Sequence, residues 1–138
     1  MLTTHTFAFT TTATPDQVWI ALTDCQEIPR YLHGVALVSD WLPASPVKLC
    51  GSGDTVASGE VLDAVRGTRL VLSLDGGHGP ATYLTWEIAS TPAGTHVRLA
   101  IDDFGDEPDE ETALIWRPIL ARLEANLGRS AERGPGRG

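Results

Sequence analysis

The stretch TRLVLSLDGGHGPATYLTWEIASTPAGTHVRLAIDD, Thr68 to Asp103, decides the fold. It holds three runs in which apolar residues recur at every second position: Leu70, Leu72 and Leu74; Leu84, Trp86 and Ile88; Val97, Leu99 and Ile101. Period-two alternation is the pattern of a strand with one buried face. Gly-Gly-His-Gly (76–79) and Thr-Pro-Ala-Gly (91–94) are turn signals between the runs. Connections this short join antiparallel neighbours. The other face carries Ser73, Asp75, Thr85, Glu87, His96, Arg98 and Asp102, as a solvated surface should.

Working outward, LVSDW (37–41), PVKLCG (46–51) and TVASGEVLDAV (55–65) read as three further strands, and the Thr- and Phe-rich residues 3–12 as an opening one. In that opening strand His5, Phe7 and Phe9 share a face. Thr14-Pro15-Asp16-Gln17 is a capping box with proline at the first helical position. It predicts a helix to about Thr23 that buries Val18, Trp19, Ala21 and Leu22. A second short helix is predicted over Glu27 to Leu32, capped by Asp24 and stopped by Gly34. Residues 109–127 carry an apolar stripe through Ala113, Leu114, Trp116, Ile119, Leu120, Leu123 and Leu127, with acids in the first turn and Arg122 near the end. This is a long amphipathic helix, and Pro118 inside it predicts a kink near Leu114 or Ile115. A sheet with one apolar face and a helix with one apolar stripe satisfy each other by packing together, which defines an α+β domain.

The order β, α, α, about six β, α resembles the helix-grip fold of the START-like or SRPBCC superfamily: a curved antiparallel sheet wrapped around a long C-terminal helix, with two short helices after the first strand. In detail it is similar to the branch named for the activator of heat-shock protein 90 ATPase. The matching pieces are Thr14 to Trp19 with Ala21-Leu22-Thr23, Ser39-Asp40-Trp41, Gly59 to Leu62, Arg69 to Leu72, Thr85 to Ile88, Gly94 to Leu99, and Trp116 with Pro118, Ile119, Leu120 and Leu123. They extend over about residues 3–127. Two departures stand out: Ala44 replaces a usual glycine, and the strand into Asp102-Asp103-Phe104 lacks a histidine often found there.

A chain of 138 residues with 42% hydrophobic content fits one domain, residues 1–127, followed by a Gly/Arg-rich flexible end, residues 128–138. The net charge is −8, and residues 1–127 hold seventeen acids against seven bases. That balance opposes nucleic acid and anionic membranes as partners. No apolar run is long enough for membrane insertion, and Met1 to Thr12 lacks the plan of a signal peptide, so the expected location is cytoplasmic, with Cys25 and Cys50 reduced. Gly51-Ser52-Gly53-Asp54 lacks the lysine of a phosphate-binding loop. The histidines and cysteines are too dispersed for zinc, and the acids from Asp102 to Glu111 do not follow the calcium-loop spacing. No metal and no cofactor are expected.

Four tryptophans fall on separate elements. Trp19 reads as core. The resemblance implies a cavity between sheet and C-terminal helix, which Trp41, Trp86, Trp116, Leu99 and Leu120 would line. As polar groups for such a cavity, His33 lies beside its expected mouth and Asp103 is in phase with the inward row Val97, Leu99 and Ile101; Asp40 and Tyr83 read as outward-facing. The first expectation for function is binding of a small hydrophobic molecule, lipid- or polyketide-like. One alternative is an enzyme of the cyclase, hydratase or hydrolase kind in the same cavity, with His33 or Asp103 as acid or base. The other is a co-chaperone-like protein-interaction module. The oligomeric state is left open.

Overall fold

A computed structural model of the chain describes residues 3–24, 27–31, 36–51, 54–75, 82–103 and 110–133. The elements are β1 (Thr3–Thr11), α1 (Pro15–Thr23), a 3-10 turn (Ile28–Arg30), β2 (Ala36–Val38), β3 (Pro46–Gly51), β4 (Asp54–Val65), β5 (Arg69–Asp75), β6 (Thr82–Thr91), β7 (Gly94–Asp103) and α2 (Glu110–Arg133). The strands form one antiparallel sheet in the order β1-β7-β6-β5-β4-β3-β2. The first strand therefore closes onto the last, with Thr3 opposite Asp103 and Thr11 opposite Thr95. The sheet curls into a half-barrel around α2, the helix-grip α+β arrangement.

Register explains the core. Phe7, Leu99, Trp86 and Leu70 form one row across four strands, and His5, Ile101, Leu84, Leu72 and Val61 form the next across five. From Ile101 to Val61 and from Leu99 to Leu70 these rows are buried, as are Ile119, Leu120, Leu123 and Leu127 of α2. The alternation that marked the strands thus faces the helix stripe. In β4 a bulge between Val61 and Asp63 leaves Leu62 without a cross-strand partner and 42% exposed. The extra residue resets the phase, so that Val61 and Ala64, three apart, both reach the core.

Two glycines permit close approaches. A Cβ on Gly59 would lie 1.6 Å from the Ser73 carbonyl oxygen on β5. Gly94, which starts β7, has φ +133°, and a Cβ there would meet the Thr11 carbonyl at 2.4 Å. Beside it Thr95 donates its hydroxyl to the Ala13 carbonyl at 2.6 Å, tying β7 to the entry of α1. The capping box forms as read: Gln17 N–H donates to Thr14 Oγ1, and Thr14 N–H donates to Gln17 Oε1.

Three expectations are corrected. Of the 37–41 strand only Leu37 and Val38 pair, as part of Ala36–Val38, and the chain then turns at Trp41, which takes a left-handed conformation, φ +57°. Ala44, at the place of a usual glycine, does the same at φ +69°. Each non-glycine residue there costs about 1–2 kcal/mol, and hydroxyls hold the turn. Ser45 Oγ donates to the Leu42 carbonyl at 2.6 Å and accepts from Leu42 N–H. Ser39 Oγ, 3.2 Å from Ser45 Oγ, accepts from Trp41 N–H. Main-chain bonds from Ala44 N–H to Val61 O and from Val61 N–H to Ser45 O fix the turn on β4. Secondly, the second helix is a 3-10 turn, Ile28–Arg30, held by the Asp24 carbonyl, which accepts from Glu27 and Ile28 N–H; Leu32 and Gly34 lie outside the described residues. Thirdly, α2 continues past Leu127 to Arg133, so residues 128–133, expected in a flexible end, are helical. Arg129, Ala131 and Glu132 are helix formers, and the apolar stripe ends before the helix does. Residues 134–138 lie outside the described residues. Pro118 lies inside α2, and its missing N–H leaves the Leu114 carbonyl without its usual donor.

Tyr31, which follows the 3-10 turn, is 4% exposed and donates its hydroxyl to the Ala21 carbonyl of α1 at 2.9 Å. Burial, and secondarily the Glu27 carboxylate, hold this phenol well above its usual range. The folded state thus favours the protonated form. Its contribution is fully present below the unfolded tyrosine value of about 10 and is lost as pH rises beyond it. Urea denaturation at rising alkaline pH should show stability falling above about pH 10, and Tyr31→Phe should flatten that fall while costing about 1 kcal/mol at neutral pH. Identical alkaline slopes for the two proteins would count against the buried phenol.

Candidate functional site

Edge strand β1 and helix α2 do not close completely on each other. Between them lies an open groove of about 220 Å³, lined by Phe7, Ala8, Phe9, Arg117, Leu120, Ala121 and Glu124. Its position follows from local sequence. Phe7 and Phe9 alternate onto the concave face of β1, while Arg117, Leu120, Ala121 and Glu124 recur at helical spacing on α2. Phe7 and Phe9 are only partly buried yet pack against the core, as does Trp116, one turn before Leu120. The floor is apolar, and Arg117 and Glu124, both exposed, bring opposite charges to its rim. Across the sheet from the groove, Phe7 is opposite Leu99 and Leu99 opposite Trp86, both buried in the core.

A second, larger groove of about 570 Å³ lies between the 3-10 turn and α2, lined by Arg30, Ala121, Arg122, Ala125 and Asn126. Among the described residues it offers alanine methyls but no large apolar side chain, so the β1 groove is the better place for a hydrophobic molecule.

The structure gathers some of the expected site residues and separates others. Leu99, Trp86 and Leu120 are buried, 1%, 5% and 7% exposed. Leu120 reaches the groove directly, and Leu99 and Trp86 follow Phe7 across the sheet on β7 and β6. Trp116 is half-buried on α2. Trp41 packs partly buried against the core but follows β2, at the sheet edge opposite β1. Trp19 is core, as read. Asp40 is exposed, although it leaves the strand before alternation can place it, and Tyr83 pairs with Asp102 and Ser73 beside Thr85. Asp103 ends β7 between Thr3 and Thr82, and its side chain lies outside what is described; His33 lies outside the described residues altogether. Cys50 sits half-buried in β3, and Cys25 is outside the described residues. Among the described residues no three His, Cys, Asp or Glu side chains gather into a metal-binding group, and no helix is long and apolar enough to cross a membrane.

The sequence reading passed over one polar group on this face. His5 shares the inward face of β1 with Phe7 and Phe9, opposite Ile101. Its Nε2 is the one buried side-chain nitrogen or oxygen among the described residues without a hydrogen-bond partner. Its place in the Phe7/Phe9 alternation was visible, but its lack of a partner is a property of the packed molecule.

A curled antiparallel sheet gripping a long C-terminal helix, with an apolar groove beside that helix, defines a helix-grip domain. The chain belongs to the family of activator of Hsp90 ATPase homolog 1-like proteins, whose model matches residues 12–128. Solved structures share the fold at low identity. Protein MLL2253 from Mesorhizobium loti is 22% identical, with a TM-score of 0.77 over 93% of this chain and 98% of that one. CalU16 from Micromonospora echinospora is 22% identical in its solution structure, with a TM-score of 0.76 over 91% of this chain and 66% of that one. The Aha1 dimer from Colwellia psychrerythraea is 15% identical, with a TM-score of 0.74 over 99% of each chain. No curated protein matches the chain.

Proposed function

We propose that residues 1–127 form the ligand-binding unit of this protein and that it takes a small hydrophobic molecule into the groove between β1 and α2. The observation that carries this reading is the pair Phe7 and Phe9. Both turn toward the core and pack against it, yet both remain partly open where they meet Leu120. Aromatic side chains left open beside a core are surface that an apolar ligand can remove from water. A groove of about 220 Å³ suits a one- or two-ring molecule, since drug-sized ligands occupy roughly 300–1,000 Å³. Of the expected site residues Leu120 lines this groove, while Leu99 and Trp86 lie in the core beside Phe7, Trp116 is one turn away on α2, and Trp41 follows β2 at the other sheet edge. The net charge of −8 selects against anionic ligands.

Titration with one- and two-ring aromatic compounds should quench tryptophan fluorescence saturably and raise the melting temperature. A ligand bound only by the native state adds about 2.7 kcal/mol at a hundredfold excess over its Kd. Binding should persist in moderate salt, because apolar burial is little screened. A panel that produces neither quenching nor a melting shift would refute the reading.

A further inference from the structure

We propose that this protein associates with a second copy of itself through strand β1, the two strands pairing antiparallel about Phe7 and joining two sheets into one. This goes beyond the groove reading and does not depend on what the groove binds. β1 lies at one edge of the sheet, and no described strand pairs with its outer side. The main-chain groups on that side follow from the pairing. The two-residue turn Pro92-Ala93 makes Thr91 and Gly94 a hydrogen-bonded pair, and bonded and unbonded pairs alternate along antiparallel strands. Carried across β7 without a register shift, this alternation aims the N–H and C=O groups of His5, Phe7 and Phe9 at β7. Those of Thr4, Thr6, Ala8 and Thr10 point away from the sheet, a ladder that no described strand takes up.

Edges of this kind are normally blunted by charge, proline, a bulge or shortness. The opposite edge, β2, is three residues long. β1 has nine residues, Thr-Thr-His-Thr-Phe-Ala-Phe-Thr-Thr, with no lysine, arginine, acid or proline among them and no register shift. In a chain of net charge −8, this is a surface on which two copies do not repel. It also reads nearly alike in both directions about Phe7. An antiparallel pair centred there bonds Thr4 to Thr10 and Thr6 to Ala8, all of them outward-facing, so the sequence symmetry agrees with the main-chain alternation. The unbonded pairs, whose side chains stand closer, are Phe7 with Phe7 and His5 with Phe9, aromatic matches on the concave face. Helix α2 fits the same axis. Arg117 and Glu124, both exposed and in no ion pair among the described residues, stand two turns apart along the groove beside Phe7 and Phe9. A two-fold axis through Phe7 reverses the helix, setting Arg117 toward the second copy's Glu124 and Glu124 toward its Arg117. The two grooves then meet at the axis, and Phe7 of each copy joins the wall of the other. With β2 too short to extend the sheet, association ends at the dimer.

Sedimentation velocity of the full chain from about 5 to 500 µM should show monomer passing into dimer as concentration rises, as expected of a contact of modest size. Ala8→Pro removes an outward N–H that the monomer does not use, at a place where an edge strand tolerates proline. It should weaken association at least about tenfold, because the lost bond occurs twice about the axis, while the dilute monomer keeps its circular dichroism. Arg117→Glu and Glu124→Arg should each weaken association about tenfold, since each brings like charges together twice. The double exchange restores opposite charges and should return association to the wild-type level, most clearly in low salt. A wild-type chain that stays monomeric over the whole range overturns the proposal and leaves the edge to a strand of another protein. A dimer that all these variants leave unchanged, or a double exchange that associates no better than the single ones, overturns it as well. If Ala8→Pro melts below wild type, the charge series, confined to exposed side chains, decides alone.

Discussion

Gly59→Ala is expected to be the most damaging single-methyl change in the protein. The added carbon would have to occupy space 1.6 Å from the Ser73 carbonyl oxygen, well inside contact distance. The obstacle is backbone, so no side-chain rotation relieves it. β4 and β5 must separate where Gly59 faces Leu74, next to the buried pair Val61 and Leu72. Overpacking that moves the main chain costs about 3 kcal/mol or more, a large part of the 5–15 kcal/mol that holds a typical domain together. Thermal denaturation should place the midpoint about 10 °C or more below wild type. The control is Gly128→Ala on α2, where an added Cβ meets nothing within 4 Å. In a helix that change should raise stability by up to about 1 kcal/mol. If the two variants melted alike, the close approach of β4 to β5 would be wrong.

The second large effect is expected from Leu123→Ala, at about 2–5 kcal/mol. Leu123 is fully buried on the face of α2 turned toward the sheet, so truncation leaves a void enclosed by protein. Leu120→Ala removes the same atoms from a side chain that also borders the open groove, and its loss should lie toward the low end of that range. Leu42→Ala, at a residue 63% exposed, should stay within about 0.5 kcal/mol of wild type. Chemical denaturation of the three variants ranks them directly. A Leu123→Ala midpoint equal to that of Leu42→Ala would remove α2 from the concave face.

What could be read from the chain and what could not divide along the range of the interactions. The hairpins of β5, β6 and β7 and the capping box at Thr14 are written in residues at most a few positions apart, so alternation and spacing expose them. The turn at Trp41 is different. Its left-handed residues are held by Ser45 and by Val61 of β4, twenty residues further on, and nothing in LVSDW announces that bond. The end of α2 was placed too early because an apolar stripe measures what a helix buries and not how far it runs. The candidate site shows the same division. Leu120 of the groove, and Leu99 and Trp86 of the core beside it, are legible because they are apolar and in phase. The groove itself, at the edge strand, required knowing that β1 pairs with β7 at one end of the sheet. His5 was seen as a member of a face and not as an unsatisfied atom, since that condition depends on every neighbour at once.

The pairing of β1 with β7 also sets an order of events. Of the seven described strands β1 leaves the ribosome first, and its neighbour in the sheet, β7, is made last. Residues 12–94 must be synthesised before Thr11 can meet Thr95, and α2 must follow before Phe7 and Phe9 face a helix. Contacts of such long sequence separation slow folding, because the intervening chain must be closed into a loop before they form. Throughout that interval the nascent chain carries an unpaired strand edge and two uncovered phenylalanines, the surface that chaperones bind and that aggregates grow from. In this domain the segment that waits longest for its partner during synthesis is also the wall of the groove.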